Sequence, residues 1–177
     1  MFINLFDDYN FMAEDLRKNG SLEGLCILLP ENKNHPDILV QAQRSYLGLN
    51  WYETHKALSN SGSFMPSPRE FFDFLRMVDS KKRVYDASGN PVNATAIDIL
   101  KDEILGKREP YRGENLDAYF ADIDGRMYMF SHHRLVHERL IPMASENVLR
   151  FFMQNGYIDL ENTQRNLPVT SSPQSID

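Results

Sequence analysis

Apolar residues Phe2, Leu5, Phe6, Tyr9, Met12, Ala13 and Leu16 recur at three-and-four spacing, the period that gathers side chains on one side of a helix. The pattern predicts a first amphipathic helix, with Asn4 as its cap and Gly20 as its stop. Its apolar stripe is read as core, with docking into a partner's groove as the other use of the same face. After the run LCILLP, Pro36 suits a first helical turn. Ile38, Leu39, Ala42 and Tyr46 then continue a helical face as far as Gly48.

Two capping signals are stronger. Asn50 with Glu53 has the spacing of a capping box and predicts a helix from Trp51 to about Ser59. Ser67, Pro68 and Glu70 place a cap, an N1 proline and an N3 carboxylate ahead of FFDFLRMV. Phe71, Phe72, Phe74, Leu75 and Val78 wrap more than half of that helix, which predicts an enclosed position in the core. KKRVYDASGNPVN reads as a short strand running into a turn, and Asn93 as the cap of a helix carrying Ile97, Leu100 and Ile104 up to Gly106.

The pattern then changes from helical spacing to alternation. In LDAYFADIDGRMYMFSHH, two aromatic-rich stretches flank Asp124 and Gly125, a pair favoured in type I′ hairpin turns. A two-residue turn pairs Ile123 with Arg126 and Tyr119 with Phe130, and places Asp117 opposite His132. Leu116, Phe120, Met129 and His133 fall on the reverse face, and Arg134 lies diagonally near Asp117. A three-residue loop would shift the register and set Leu116 against His132. Ser145 is then read as the cap of a last helix bearing Val148, Leu149, Phe152 and Met153, closed by Gly156 before an extended YIDL.

These elements predict an α+β fold: a mostly helical single domain, residues 1–161, around a small antiparallel sheet centred on the hairpin at about 116–133. Residues 162–177 read as a polar, flexible C-terminal tail. Composition agrees with one globular domain, since 42% of the 177 residues are hydrophobic and 25% charged. The net charge of −6 and a pI near 5.4 oppose nonspecific nucleic-acid binding, which needs a basic surface. No apolar stretch is long enough to span a bilayer. The N-terminal MFINLFDDYN carries acids where a secretion signal needs bases, and the single Cys26 lies in an apolar run as a buried thiol. The expected location is the cytoplasm.

Candidate chemistry is confined to two clusters, because none of the phosphate-loop, dinucleotide, nucleophile-elbow or zinc signatures is present. HHRLVHE holds three of the five histidines. On a helix, His133 and His137 would share a face and form part of a divalent-metal site. KREPYRGENLD offers Arg108, Glu114 and, with Arg134 from the first cluster, a ligand-binding group for a phosphate or carboxylate. In their plainer roles the histidines form a solvated sheet edge, and Lys107 and Arg108 answer a helix dipole. The triple Lys81, Lys82 and Arg83 is a solvated helix boundary on the same grounds.

The favoured function is that of a binding or regulatory protein without catalytic activity, acting on a protein partner. The alternative is a small hydrolase or nuclease-like enzyme with His132 or His133 as general base, carboxylates from the hairpin, Asp117 first among them, and Arg112 stabilising negative charge. A divalent metal is optional to that alternative and not required. Because residues after Asn162 hold few groups able to offset the entropy of ordering them, a chain ending there should melt at the same temperature as the full length. A midpoint lowered by several degrees in calorimetry would refute that boundary.

Overall fold

The computed structural model describes residues 2–4, 22–80, 82–105 and 114–148. The chain divides into two compact units, Met1–Leu116 and Asp117–Asp177. Among the described residues, 28% are helical and 31% lie in strands of three small sheets, so helix and strand are balanced. The mostly helical fold expected from spacing is therefore corrected. Three segments read as helices are extended where they are described.

In the first unit, β1 (Phe2–Asn4), β2 (Cys26–Leu29), β3 (Ile38–Gln41) and β4 (Ser63–Phe64) form an antiparallel sheet in the order β2-β3-β1-β4. The predicted first helix thus begins as a strand, with Ile3 facing Val40 on one side and Phe64 on the other. Its remaining residues, 5–21, lie outside the described residues. The helix predicted after Pro36 is strand β3. Ile38 and Val40 are buried while Leu39 and Gln41 are half-buried, a period of two. Spacing had matched Ile38, Leu39 and Ala42 to a helix, but β-branched Ile38 and Val40 pack against Leu29 and Ile27 of β2, pair by pair.

The three helices sit where their caps place them. In α1 (Trp51–Asn60), the Asn50 side chain accepts from Glu53 N while Asn50 N donates to Glu53 Oε2, each at 2.9 Å. In α2 (Pro68–Asp79), Ser67 and Glu70 form the same reciprocal pair, with Ser67 N donating to Glu70 Oε2 at 2.7 Å. In α3 (Ala94–Ile104), the Asn93 side chain accepts from Thr95 N. These bonds satisfy backbone donors that a helix start leaves open. The helix ends are tied by ion pairs, Lys101 Nζ to Asp79 at 2.6 Å and Arg44 to Glu103 at 3.2 Å.

Phe74 and Val78 of α2, with Ile97 and Leu100 of α3, close over Ile27, Leu29, Ile38 and Val40 to make the core of this unit. Phe71 packs at its margin, and Phe72 and Leu75 are half-buried. Val84 joins the core from the segment after α2, where Leu28 N donates to Tyr85 O and Ala87 N to Cys26 O. The expected strand there is a pair of isolated bridges rather than a strand. Asp86 Oδ1 then accepts from Ser88 N and Asn90 N and so shapes the turn. Cys26 is half-buried, and burial raises its thiol pKa.

The second unit is an antiparallel meander. Strands β5 (Tyr119–Ile123) and β6 (Arg126–Ser131) pair as the two-residue turn requires, Ile123 with Arg126 and Tyr119 with Phe130. Asp124 and Gly125 both have positive φ, as a type I′ turn demands. Then β7 (Arg134–Val136) pairs with β8 (Arg139–Ile141), and β9 (Ala144–Val148) returns along β6. The helix expected after Ser145 is therefore strand β9 as far as Val148, with Leu149, Phe152 and Met153 outside the described residues. Met129 of β6 faces Phe120 and Glu146, one residue from each neighbouring strand. A central strand binds its neighbour more strongly than local helical spacing binds itself.

Phe74 is fully enclosed and Phe72 is not, which separates two adjacent phenylalanines on one helix. Phe74→Ala should cost about 3–5 kcal/mol and Phe72→Ala clearly less. Urea unfolding of the two variants checks the order, and equal losses would overturn this placement of the core.

Candidate functional site: a clamped hairpin

RLVHERLI repeats an Arg-Leu-β-branched triplet on either side of two residues. That repeat is a hairpin in which β7 and β8 form the arms, with His137 and Glu138 as the turn. Both turn residues have positive φ, 48° and 60°, the conformation a two-residue I′ turn needs and glycine or asparagine usually supplies. Each non-glycine residue held there costs about 1–2 kcal/mol.

The same register runs from the sheet into the hairpin. Ser131 faces Ala144, and three residues further out Arg134 faces Ile141. Between them the ladder breaks. His132 takes positive φ, 56°, and Pro142, which falls opposite His133 in this register, has no N–H to offer. Met143 N donates to Ser131 O at 3.2 Å just before the break.

Asp117 fills the break from the segment leading into β5. Its Oδ2 accepts from His133 N at 2.7 Å, and its Oδ1 accepts from His133 Nδ1. Both side chains are buried, 3% exposed for Asp117 and 4% for His133. An ionised carboxylate only accepts, so it is the Nδ1–H of the ring that donates to it. One side chain thus brackets both the main chain and the ring of one residue.

The expected partner of Asp117 was His132. The register that led to it is the observed one, but the left-handed turn of the chain at His132 upsets the alternation of side chains. His133, expected on the reverse face, meets the carboxylate instead, and His132 is exposed. The proposed metal pair does not form by the expected route. Strand β7 separates His133 at the hairpin base from His137 at its tip, so no helical spacing joins them. Arg134 is exposed on β7, and Glu114 is half-buried ahead of Asp117. Arg108 and Arg112 lie outside the described residues, as do Lys107 and Lys81.

Alternation divides the hairpin into two faces. Leu135 and Leu140 are half-buried opposite one another on the inner face. Arg134 beside Ile141, and Val136 beside Arg139, form the outer face, with Val136 45% and Ile141 42% exposed. The sequence reading grouped these residues with the histidines and missed the face. The RLV and RLI triplets were the signal for it.

Replacing Asp117 with Ala leaves two donors of His133 without their acceptor in a buried place, and should cost roughly 2–4 kcal/mol. Urea unfolding measures the loss. Nitrogen NMR of the His133 ring should report a proton on Nδ1 in the wild type, and a ring protonated on Nε2 alone would refute the bracket. No known protein family, curated protein or solved structure matches this chain.

Proposed function

We propose that this chain is a binding protein without catalytic activity, and that it meets a protein partner through the outer face of the β7–β8 hairpin. The observation that carries this reading is the four-residue outer face, where two β-branched side chains stand exposed beside two arginines. Exposed apolar residues grouped together favour association, whereas scattered ones do not. Arginine is among the residues enriched at interface centres. The turn adds support, because His137 and Glu138 hold a conformation that Asn-Gly would reach at lower cost.

The working place is the cytoplasm, on the grounds that the one cysteine has no internal disulfide partner. No helix among the described residues is long and apolar enough to cross a membrane. A net charge of −6 turns the reading away from nonspecific nucleic-acid partners.

A second reading keeps the enzyme, with His133, one of the two histidines expected as general base, in that role. Asp117 orients the ring as a carboxylate orients a general base. The near-complete burial of the pair weighs against it, since a base must reach its substrate.

The test compares capture from native cell extract by the wild type and by Val136→Asp/Ile141→Asp, with circular dichroism confirming that both are folded. At least one protein should be enriched by the wild type, lost with the double variant, and bind the wild type directly once purified. Identical captured sets would refute the hairpin as the contact surface. Turnover of an activated phosphodiester that disappears in His133→Ala would replace the binding reading with the enzymatic one.

A further inference from the structure

The charge on the outer face specifies what it meets, given that the hairpin is the contact surface proposed above. Arg44, Arg76 and Lys101 in the first unit each lie against a carboxylate. Arg134 and Arg139 do not. Among the described residues, neither makes an ion pair or a side-chain hydrogen bond. The chain carries 25 acidic and 19 basic residues, so two neighbouring guanidinium groups stand without carboxylates in a protein that has an excess of them.

Their arrangement is fixed by the ladder. Arg134 faces Ile141 and Val136 faces Arg139, so the arginines lie on one diagonal and the aliphatic residues on the other. Diagonal neighbours across an antiparallel pair are about 7–8 Å apart. Alternate residues of an extended chain are spaced by about 6.4–6.8 Å, twice the rise per residue. Two carboxylates at alternate positions of a strand would therefore each meet one guanidinium, in the bidentate geometry that arginine favours. The second diagonal asks for aliphatic contact.

We propose that the outer face of the hairpin, Arg134, Val136, Arg139 and Ile141, binds an extended acidic segment of a protein partner with carboxylates at alternate positions, whose side-chain methylenes rest on Val136 and Ile141. A second copy of the same face fits less well as occupant, because it would gather four guanidinium groups with no carboxylate among them. A phosphate-rich surface, whether lipid or nucleic acid, fits less well. It would leave Val136 and Ile141 against charged groups.

The test uses the full chain, a synthetic peptide of alternating glutamate and valine, and vesicles of equal phosphatidylcholine and phosphatidylserine. Amide shifts should change on adding the peptide, with the changes confined to residues 134–141. Arg134→Glu and Arg139→Glu should each weaken binding about tenfold or more, with the spectrum of the free protein otherwise retained. A matching lysine-valine peptide should not bind. Peptide binding that is equal in wild type and both variants would overturn the proposal, as would no peptide binding, or binding to the vesicles in preference to the peptide. If the peptide fails while Val136→Asp/Ile141→Asp still abolishes capture of a native partner, the acidic chemistry is wrong and the contact surface stands. If neither responds, both are wrong.

Discussion

The second unit depends on one carboxylate in the right place. Between Ser131 and Arg134 the ladder loses its regular bonding, because His132 turns left-handed and Pro142 has no hydrogen to donate. A part-buried backbone N–H left there without an acceptor would carry a cost of lost hydration. Asp117 removes that cost and at the same time fixes the ring of His133. A buried charge is tolerated only when it is paired or richly hydrogen-bonded, so the bracket constrains both sides. His133 needs an acceptor, and Asp117 needs donors.

The first unit is governed by a different constraint, the closure of two helices over a sheet. Ile27, Leu29, Ile38 and Val40 form paired rows on one sheet face, and Phe74 and Leu100 cover them. The capping boxes at Asn50 and Ser67 fix where α1 and α2 begin, and so set which side of each helix turns inward. His35 is a satisfied core histidine in the same style. Its Nδ1 bonds to Pro36 O at 2.7 Å, and its Nε2 accepts from Asn32, whose amide also donates to Asp73 of α2.

Elements defined by local chemistry were legible in the sequence. The caps at Asn50, Ser67 and Asn93 state their helices within four residues, and Asp124-Gly125 states its turn and register. Elements defined by distant partners were not. Ile38 to Ala42 satisfies helical spacing and strand alternation alike, and the choice is made by β2, a different part of the chain. Ser145 to Val148 becomes a strand because β6 lies beside it. The site was half legible for the same reason. Counting residues from the turn brought Asp117 to the right place, but no count foretells a left-handed residue at His132. That depends on the proline across the ladder and on the carboxylate waiting behind it.

The break at His132 and Pro142 also sets a mechanical boundary. Inside it, β6 is held on both sides, by β5 and β9; outside it, β7 and β8 hold only each other. Two short arms with one neighbour apiece open at lower free energy than a central strand. The tip can therefore fray and re-form while the sheet behind it stays intact, with the Asp117 bracket marking where the fraying stops. A surface mounted this way has a rigid root and a compliant end, and it can adjust its backbone to what it touches without drawing on the stability of the unit that carries it.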